Sequence, residues 1–239
     1  MALANSRPQD VLRIFREGGT SRPERLTWAA ARMGVQPATD DNMRAAEAVL
    51  VELARGDDDI AAQAAYLQAR IYQLHFAEPN HAKAAELYRA LAERQPRNHW
   101  AQLGLVKLGL LKLYALPDST APGADRLAAA EAVLAKIEDP SLRRDLHLQI
   151  GQAGVVLHQP VARYLPHLVE ADRGGNVGGQ AHEDLVVQIG VLSERSGLWE
   201  QARVYFEKYL AEFPTNVRAF AIEKKLEEMK QRLGAGGGK

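Results

Sequence analysis

Two stretches of this sequence carry the same residue types at the same spacing. Each has an alanine, an aromatic residue four positions later and a proline twelve positions later: Ala84, Tyr88 and Pro96, and Ala202, Phe206 and Pro214. Residues four positions apart lie on one face of an α-helix, and a proline shortly beyond them ends it. The match predicts a chain built by repeating a helical unit.

The rest of the chain shares this helical character. Apolar residues recur at helical spacing nearly everywhere, and alternating strand-like runs are almost absent. Glycine and proline interrupt the pattern at short intervals: residues 18–23, 34–37, 56–59, 78–80, 116–123, 139–140 and 172–179. Short connections place consecutive helices antiparallel. The predicted fold class is therefore all-α.

Further motif residues lie upstream of the two stretches. Trp100, Leu103 and Gly104 form a W-x-x-L-G motif, and Gly190 follows an isoleucine ahead of the second stretch. Together the motifs resemble the tetratricopeptide repeat family, whose unit of about 34 residues carries W-x-x-L-G-x-x-Y in its first helix and A-x-x-x-F and P in and after its second. The resemblance implies a right-handed superhelix of antiparallel helical hairpins. It also implies that Gly104 and Gly190 press on the second helix of their own hairpin, with Gly190 facing Ala202.

The resemblance divides the chain into segments. Four repeats are predicted, over residues 62–97, 98–139, 140–174 and 181–215. Residues 1–61 are predicted to form N-terminal helices, over residues 8–16, 22–33 and 41–55, the last two being a degenerate repeat. Residues 216–233 are predicted to be a capping helix with an apolar stripe of Ala219, Phe220, Ile222, Leu226, Met229 and Leu233. Residues 234–239 are predicted to be a flexible tail.

Composition narrows the function classes. Lys plus Arg and Asp plus Glu both number 30, so no net field draws the chain to nucleic acid or an anionic membrane. No apolar run reaches the roughly 20 residues that span a bilayer, so we expect no direct membrane insertion. We expect a cytoplasmic protein, or an envelope protein if an upstream signal was removed, because Ala2-Leu3-Ala4 suits a cleavage site.

Residues that could carry chemistry do not form a familiar pattern. His75 with His81, and His158 with His167, lack the spacing that puts two metal ligands on one helical face. The glycine-rich residues 173–180 have neither a preceding strand nor the order of a dinucleotide-binding loop. Paired carboxylates fall at predicted helix starts or on exposed helical faces. We therefore expect no enzyme activity, no metal and no cofactor.

The resemblance also implies a binding surface, because the first helices of such hairpins line a concave groove that holds a peptide or a helix. The residues carried over to the groove are Gln63, Tyr66, Arg70, Gln73, Ala101, Leu105, Leu108, Leu148, Gln152, Val155, Asp184, Val187, Val191 and Glu194. Leu105, Gln152 and Val191 stand where family members that grip chaperone C-termini have asparagine, so that activity is disfavoured.

The leading hypothesis is a non-catalytic scaffold or adaptor that binds an apolar peptide or an amphipathic helix of another protein in this groove. Two alternatives stay open. In the first, the groove is filled by the chain's own insertion at residues 116–125 or by its N-terminal helix. In the second, the protein is a structural subunit that assembles through its outer ridges or terminal helix, with the groove filled internally. The sequence does not determine the oligomeric state.

Overall fold

The computed structural model describes residues 7–16, 18–116, 123–175 and 178–236. Every regular element in these ranges is helical, which confirms the all-α class. The chain divides into two compact units, Met1–Leu142 and Arg143–Lys239. The α-helices are α1 (Pro8–Ile14), α2 (Arg22–Gly34), α3 (Asp40–Leu53), α4 (Asp59–Arg70), α5 (His81–Arg94), α6 (His99–Tyr114), α7 (Arg126–Leu134), α8 (Pro140–Val156), α9 (Val161–Arg173), α10 (Gly179–Arg195), α11 (Trp199–Glu212) and α12 (Ala219–Gly236). A π-helical turn, Ile71–His75, continues α4.

Helices of the first unit begin at residues whose side chains cap them. From α2 to α7, a side-chain oxygen accepts a hydrogen bond from a backbone N–H of the first turn; the capping residues are Ser21, Thr39, Asp58, Asn80, Asn98 and Asp125. A cap satisfies an N–H group that has no partner inside the helix and contributes about 1 kcal/mol. Short polar side chains therefore fix where these helices start.

Packing in the first unit follows the chain. Consecutive helices from α1 to α7 contact each other, and α2 also contacts α4, as α4 contacts α6. One buried cluster joins the first helices: Leu26, Ala29, Met33, Met43, Ala46, Leu50, Leu53, Ala64 and Ile71.

Gly104 of α6 lies against Tyr88 of α5, where an added Cβ would come within 3.1 Å of the ring. The expectation that Gly104 meets the second helix of its own hairpin was therefore wrong. The Tyr88 ring is fully buried, and it occupies the space that the missing side chain leaves.

Two glycines bring α8 and α9 together in the second unit. A Cβ added to Gly151 would lie 2.3 Å from Leu168 Cδ2, and one added to Gly154 would lie 2.3 Å from Tyr164 Cβ. Real carbon atoms do not approach so closely, so any larger residue would push the helices apart. The close approach of these helices depends on the absence of side chains at both positions.

Gly190 plays the same part between α10 and α11. A Cβ there would lie 2.6 Å from the Phe206 ring. Gly190 therefore faces this aromatic side chain, whereas it had been predicted from the sequence to face Ala202. Ala202 is fully buried one turn earlier on α11. Phe206 fills the gap inside its own hairpin because only a glycine leaves room for the ring.

The predicted capping helix is α12, which packs on α11. Four residues of its predicted apolar stripe are buried: Ala219, Ile222, Leu226 and Met229. Phe220, in contrast, is 78% exposed, because its neighbour Ala219 takes the inward position about 100° away around the helix. The Leu233 side chain lies outside the described part. Helix α12 runs to Gly236, three residues into the predicted tail, and residues 237–239 are outside the described ranges.

Candidate functional site

Most groove residues predicted in the first unit are buried. The exposed fraction is at most 8% for five of them: Tyr66, Gln73, Ala101, Leu105 and Leu108. Gln63 and Arg70 are half-buried. Ala101, Leu105 and Leu108, which were expected to line the apolar middle of an accessible groove, are therefore not accessible. These side chains belong to the core of the chain itself.

Aromatic stacking explains part of this burial. The Tyr66 ring lies between Tyr88 and Trp100, with ring centroids 5.9 and 5.4 Å away. The Gln73 side chain is hydrogen-bonded in the same region: its Oε1 accepts one bond from the Tyr88 hydroxyl at 2.8 Å and one from Arg70 at 3.3 Å. Burial raises the pKa of Tyr88 well above its usual range, so this phenol stays a donor. These polar groups are already partnered within the unit.

The composition of α6 explains the rest. This helix is apolar around its whole circumference, and a helix of that kind is stable only when it is covered on most sides. Its neighbours in the first unit are α4, α5 and α7. Most of the insertion predicted to fill the groove, residues 116–125, lies outside the described part of the chain.

The second unit presents its part of the row differently. Leu148, Val187 and Val191 are half-buried, and Val155 is 37% exposed. These residues form one row on α8 and one on α10. A hydrogen bond of 3.1 Å from Gln152 Nε2 to Gln188 Oε1 joins the two rows. We call this surface the α8/α10 face; it consists of Leu148, Gln152, Val155, Val187, Gln188 and Val191. It is an apolar strip with an amide pair in it.

The two acidic residues of the row have a different role. Arg218 bonds Asp184, and Lys225 bonds Glu194, so both carboxylates hold the C-terminal helix α12 onto α10. Asp184 and Glu194 were expected to contact a partner. In the structure they form ion pairs within the chain, at either end of the α10 stripe.

A second apolar surface was not predicted. It is a cleft of about 340 Å³ between α9 and α11, which we call the α9/α11 cleft; its lining includes Ala162, Leu165, Pro166, Val169, Leu198 and Gln201. An adjoining cleft shares Val169 and Gln201 and adds Val204, which is 51% exposed. The sequence signal was Pro166, which has no N–H to donate to the Ala162 carbonyl one turn earlier.

A buried acid lines the adjoining cleft. Asp172 is 8% exposed and accepts hydrogen bonds from the Tyr205 hydroxyl at 3.0 Å and from Lys208 Nζ at 2.7 Å. Burial, reinforced by Asp172, raises the pKa of Tyr205 well above its usual range. The charge of Asp172 is thus compensated inside the unit, and we assign the group a structural role.

Two histidines of the second unit lie side by side, and this pair was not predicted. His147 on α8 and His167 on α9 place their Nδ1 atoms 3.0 Å apart. Burial, together with the nearby His167 and Arg143, lowers the pKa of His147 to about 4. His75 with His81, and His158 with His167, were rejected from the sequence because their spacing does not suit one helical face, and a pair that forms across a hairpin was not considered.

The chain was compared with protein-family models and with curated proteins, and neither comparison found a significant match. Among the described residues, none of the helices is long and apolar enough to cross a membrane. In the same ranges, no three or more His, Cys, Asp or Glu side chains are grouped so that they could hold a metal ion.

Proposed function

We propose that the protein is a non-catalytic interaction module and that the α8/α10 face binds an apolar or amphipathic segment of another protein. One observation carries the proposal. The predicted partner-binding row stays accessible in the second unit, while the same row is buried in the first. A partner meets apolar side chains there that the described chain leaves partly exposed.

The chemistry of the face favours a helix as the bound segment. Its stripes repeat at helical spacing on both α8 and α10, so an amphipathic helix with apolar residues at i, i+3 or i+4 and i+7 fits against it. Burial of a Leu or Val side chain contributes about 1.5–3 kcal/mol when complete, and less from a half-buried start. The amides of Gln152 and Gln188 add hydrogen-bonding groups that select a partner with a matching polar residue.

The repeat architecture is part of the same proposal. Antiparallel helical hairpins, small residues at helix contacts and the contacts of α2 with α4 and α4 with α6 all support a tetratricopeptide-like stack. The right-handed superhelix stays a prediction from the resemblance. The equal numbers of acidic and basic residues support a protein partner over nucleic acid.

Site-specific crosslinking tests the proposal directly. A photoreactive amino acid placed at Val191 in cells that naturally make the protein should crosslink to a discrete partner. The same amino acid at Val204, on α11, is the matched control because Val204 is more exposed but lies outside the α8/α10 face. Val187→Asp together with Val191→Asp should abolish capture of that partner. Equal crosslinking from Val204, or capture that survives the double change, would contradict the proposal.

A second candidate function is supported by the α9/α11 cleft. Leu198 lines this cleft and is 47% exposed, and Val204 lines the adjoining cleft and is 51% exposed, so the two clefts leave apolar surface open to a partner. In this alternative the protein is a structural subunit that assembles through this outer surface. Sedimentation velocity of the purified chain separates the two: assembly lost with Val204→Asp and kept with Val191→Asp supports the subunit, and the reverse pattern rejects it.

A further inference from the structure

The histidine pair of the second unit has the geometry of a chelate. His147 and His167 stand on neighbouring helices, with Nδ1 atoms 3.0 Å apart and ring centroids 5.1 Å apart. Both residues are half-buried. The pair lies outside the face proposed to bind protein, and nothing in that proposal uses it.

Close helix packing holds the two rings in place. Gly151 lies one turn beyond His147 on α8 and packs against Leu168, the residue after His167 on α9. Gly154 and Tyr164 form a second such contact one turn farther along. Helices that touch at two glycines cannot drift apart without losing both contacts. The ligands are thus positioned before a metal arrives, which lowers the entropic cost of binding it.

The distance between the two Nδ1 atoms is compatible with binding of both to one metal ion. With metal–nitrogen bonds of about 2.0–2.1 Å, nitrogens 3.0 Å apart subtend about 95° at the metal. A tetrahedral ion needs the nitrogens about 3.3 Å apart, whereas adjacent corners of a square need about 2.9 Å. A small side-chain adjustment reaches either spacing, so the preference among metals follows the general affinity order, in which Cu²⁺ binds imidazole nitrogens more tightly than Ni²⁺ or Zn²⁺.

We infer that His147 and His167 form a bidentate site for a divalent transition-metal ion, Cu²⁺ in preference to Ni²⁺ and Zn²⁺. Because the described residues supply no third ligand, water or an added ligand completes the coordination. Nearby Glu170 is engaged with Arg173 at 2.7 Å and is not counted as a ligand.

Metal binding to the two rings requires one ring proton to move, and no other reactant has to accept it. Without metal, one ring donates an Nδ1–H to the Nδ1 of the other. When the metal binds, that proton moves to Nε2 of the same ring, and both Nδ1 lone pairs bind the ion. Both imidazoles stay neutral, so the site takes the full charge of the cation.

The test is titration of the full-length chain with Cu²⁺, followed by calorimetry and by electron paramagnetic resonance of the bound ion. We expect one saturable site whose spectrum shows two coordinated imidazole nitrogens. His147→Gln and His167→Gln should each remove it, and the double variant should lose nothing more. His158→Asn, at an exposed residue outside the pair with a positive φ that asparagine tolerates, is the matched control and should bind like the parent.

Three results would overturn the inference. The first is a saturable site that survives both single changes, and the second is loss on changing only one of the two. The third comes from the unmodified protein and does not depend on whether a variant folds: a spectrum with no imidazole nitrogen, or only one, would show that the pair is a hydrogen bond between helices and nothing more.

Discussion

The two units specify their helices by different means. In the first unit, six successive helices start at a Ser, Thr, Asp or Asn whose side chain caps the backbone. In the second, α9, α10 and α11 start at Pro160, Gly178 and Leu198, and none of these caps through a side chain. The start of α8, in contrast, is capped by Asp139, whose carboxylate accepts hydrogen bonds from the N–H groups of Ser141 and Leu142. Glycine contacts and ion pairs hold α9, α10 and α11, so the positions of these three helices depend more on tertiary packing than on local sequence.

The same units also differ in how they use corresponding residues. Leu105 on α6 is 3% exposed, whereas Val191, its counterpart on α10, remains half-buried. The repeat pattern assigns both to one surface. The comparison shows that a position in a repeat predicts which helix face a residue occupies but not whether that face is free.

The largest expected effect comes from charge placed at these two residues. Leu105→Asp buries a carboxylate without a partner and should lower the free energy of unfolding by about 3–5 kcal/mol. Val191→Asp should lower it by less than about 1 kcal/mol, because the carboxylate can reach water. Urea unfolding followed by circular dichroism measures both. Similar losses would show that the second-unit row is not open.

A smaller difference is expected from alanine at two helix-contact glycines. Gly154→Ala should destabilise the protein by about 1–3 kcal/mol, since its Cβ would meet Tyr164 Cβ at 2.3 Å, an atom fixed close to the backbone. Gly104→Ala should change stability by less than about 1 kcal/mol, because its nearest neighbour is a ring atom at 3.1 Å and alanine favours the helix. Thermal unfolding of the pair tests this order; a costlier Gly104→Ala would reverse the contrast.

Removal of a first-unit cap should cost about 1 kcal/mol. Asn80 accepts a 2.9 Å hydrogen bond from the Lys83 N–H at the start of α5, and Asn80→Ala leaves that donor to water. Asn80→Asp is the control, since it keeps an acceptor. Equal stability of the alanine variant and the parent in urea would show that local caps do not set this helix.

Addition of a cap to the second unit should stabilise it by a few tenths of a kcal/mol. Gly178 has the extended backbone of an N-cap, with φ −93° and ψ 157°, and open space where a Cβ would lie. Gly178→Asp therefore supplies the missing acceptor and a favourable charge at the start of α10. Gly178→Ala, which adds a side chain without an acceptor, separates the two contributions. A loss of stability on adding aspartate would contradict the contrast between the units.

The smallest effect concerns pH at the first capped helix. Hydrogen bonds from the backbone of Ser21 and Thr20 lower the pKa of Glu24 to about 2. A lowered carboxyl pKa means that the stabilisation is present above the ordinary pKa near 4.5 and is lost as the pH falls toward 2. Carbon-13 NMR of the Glu24 carboxyl should show the low midpoint, and Ser21→Ala, which keeps the backbone N–H, should raise it only slightly. A midpoint near 4.5 in the parent would show that the capping box is not formed.

The sequence predicted the helices well because their signals are local. Glycine and proline mark the breaks, and a structural helix covers each segment predicted to be helical. It failed where the outcome depends on packing between elements. Gly104 was assigned to the wrong neighbour, because the motif does not say which adjacent helix supplies the aromatic ring. Leu105 and Leu108 were placed on an open wall, because α6 is apolar on every side and its pattern does not show which side is covered.

The histidine pair could have been found with one more step. In an antiparallel hairpin, residues at equal distances from the turn lie opposite each other. His147 and His167 are 20 residues apart and nearly centred on the α8–α9 turn, so the predicted hairpin already places them close together. The α9/α11 cleft had only Pro166 as a signal, and a proline within a helix does not reveal whether neighbouring side chains leave a cleft.

The central claim is that the predicted partner-binding row is accessible in the second unit and closed in the first. The chain has no cysteine, so a single introduced thiol reports its own position without interference. Reaction of a thiol reagent with Val191→Cys and with Leu105→Cys, each in the folded protein, tests the claim most directly. We expect Val191→Cys, which is half-buried, to react in the folded protein much faster than Leu105→Cys, which should be protected until urea unfolds the protein. Equal rates at the two positions, or protection at Val191→Cys, would contradict it.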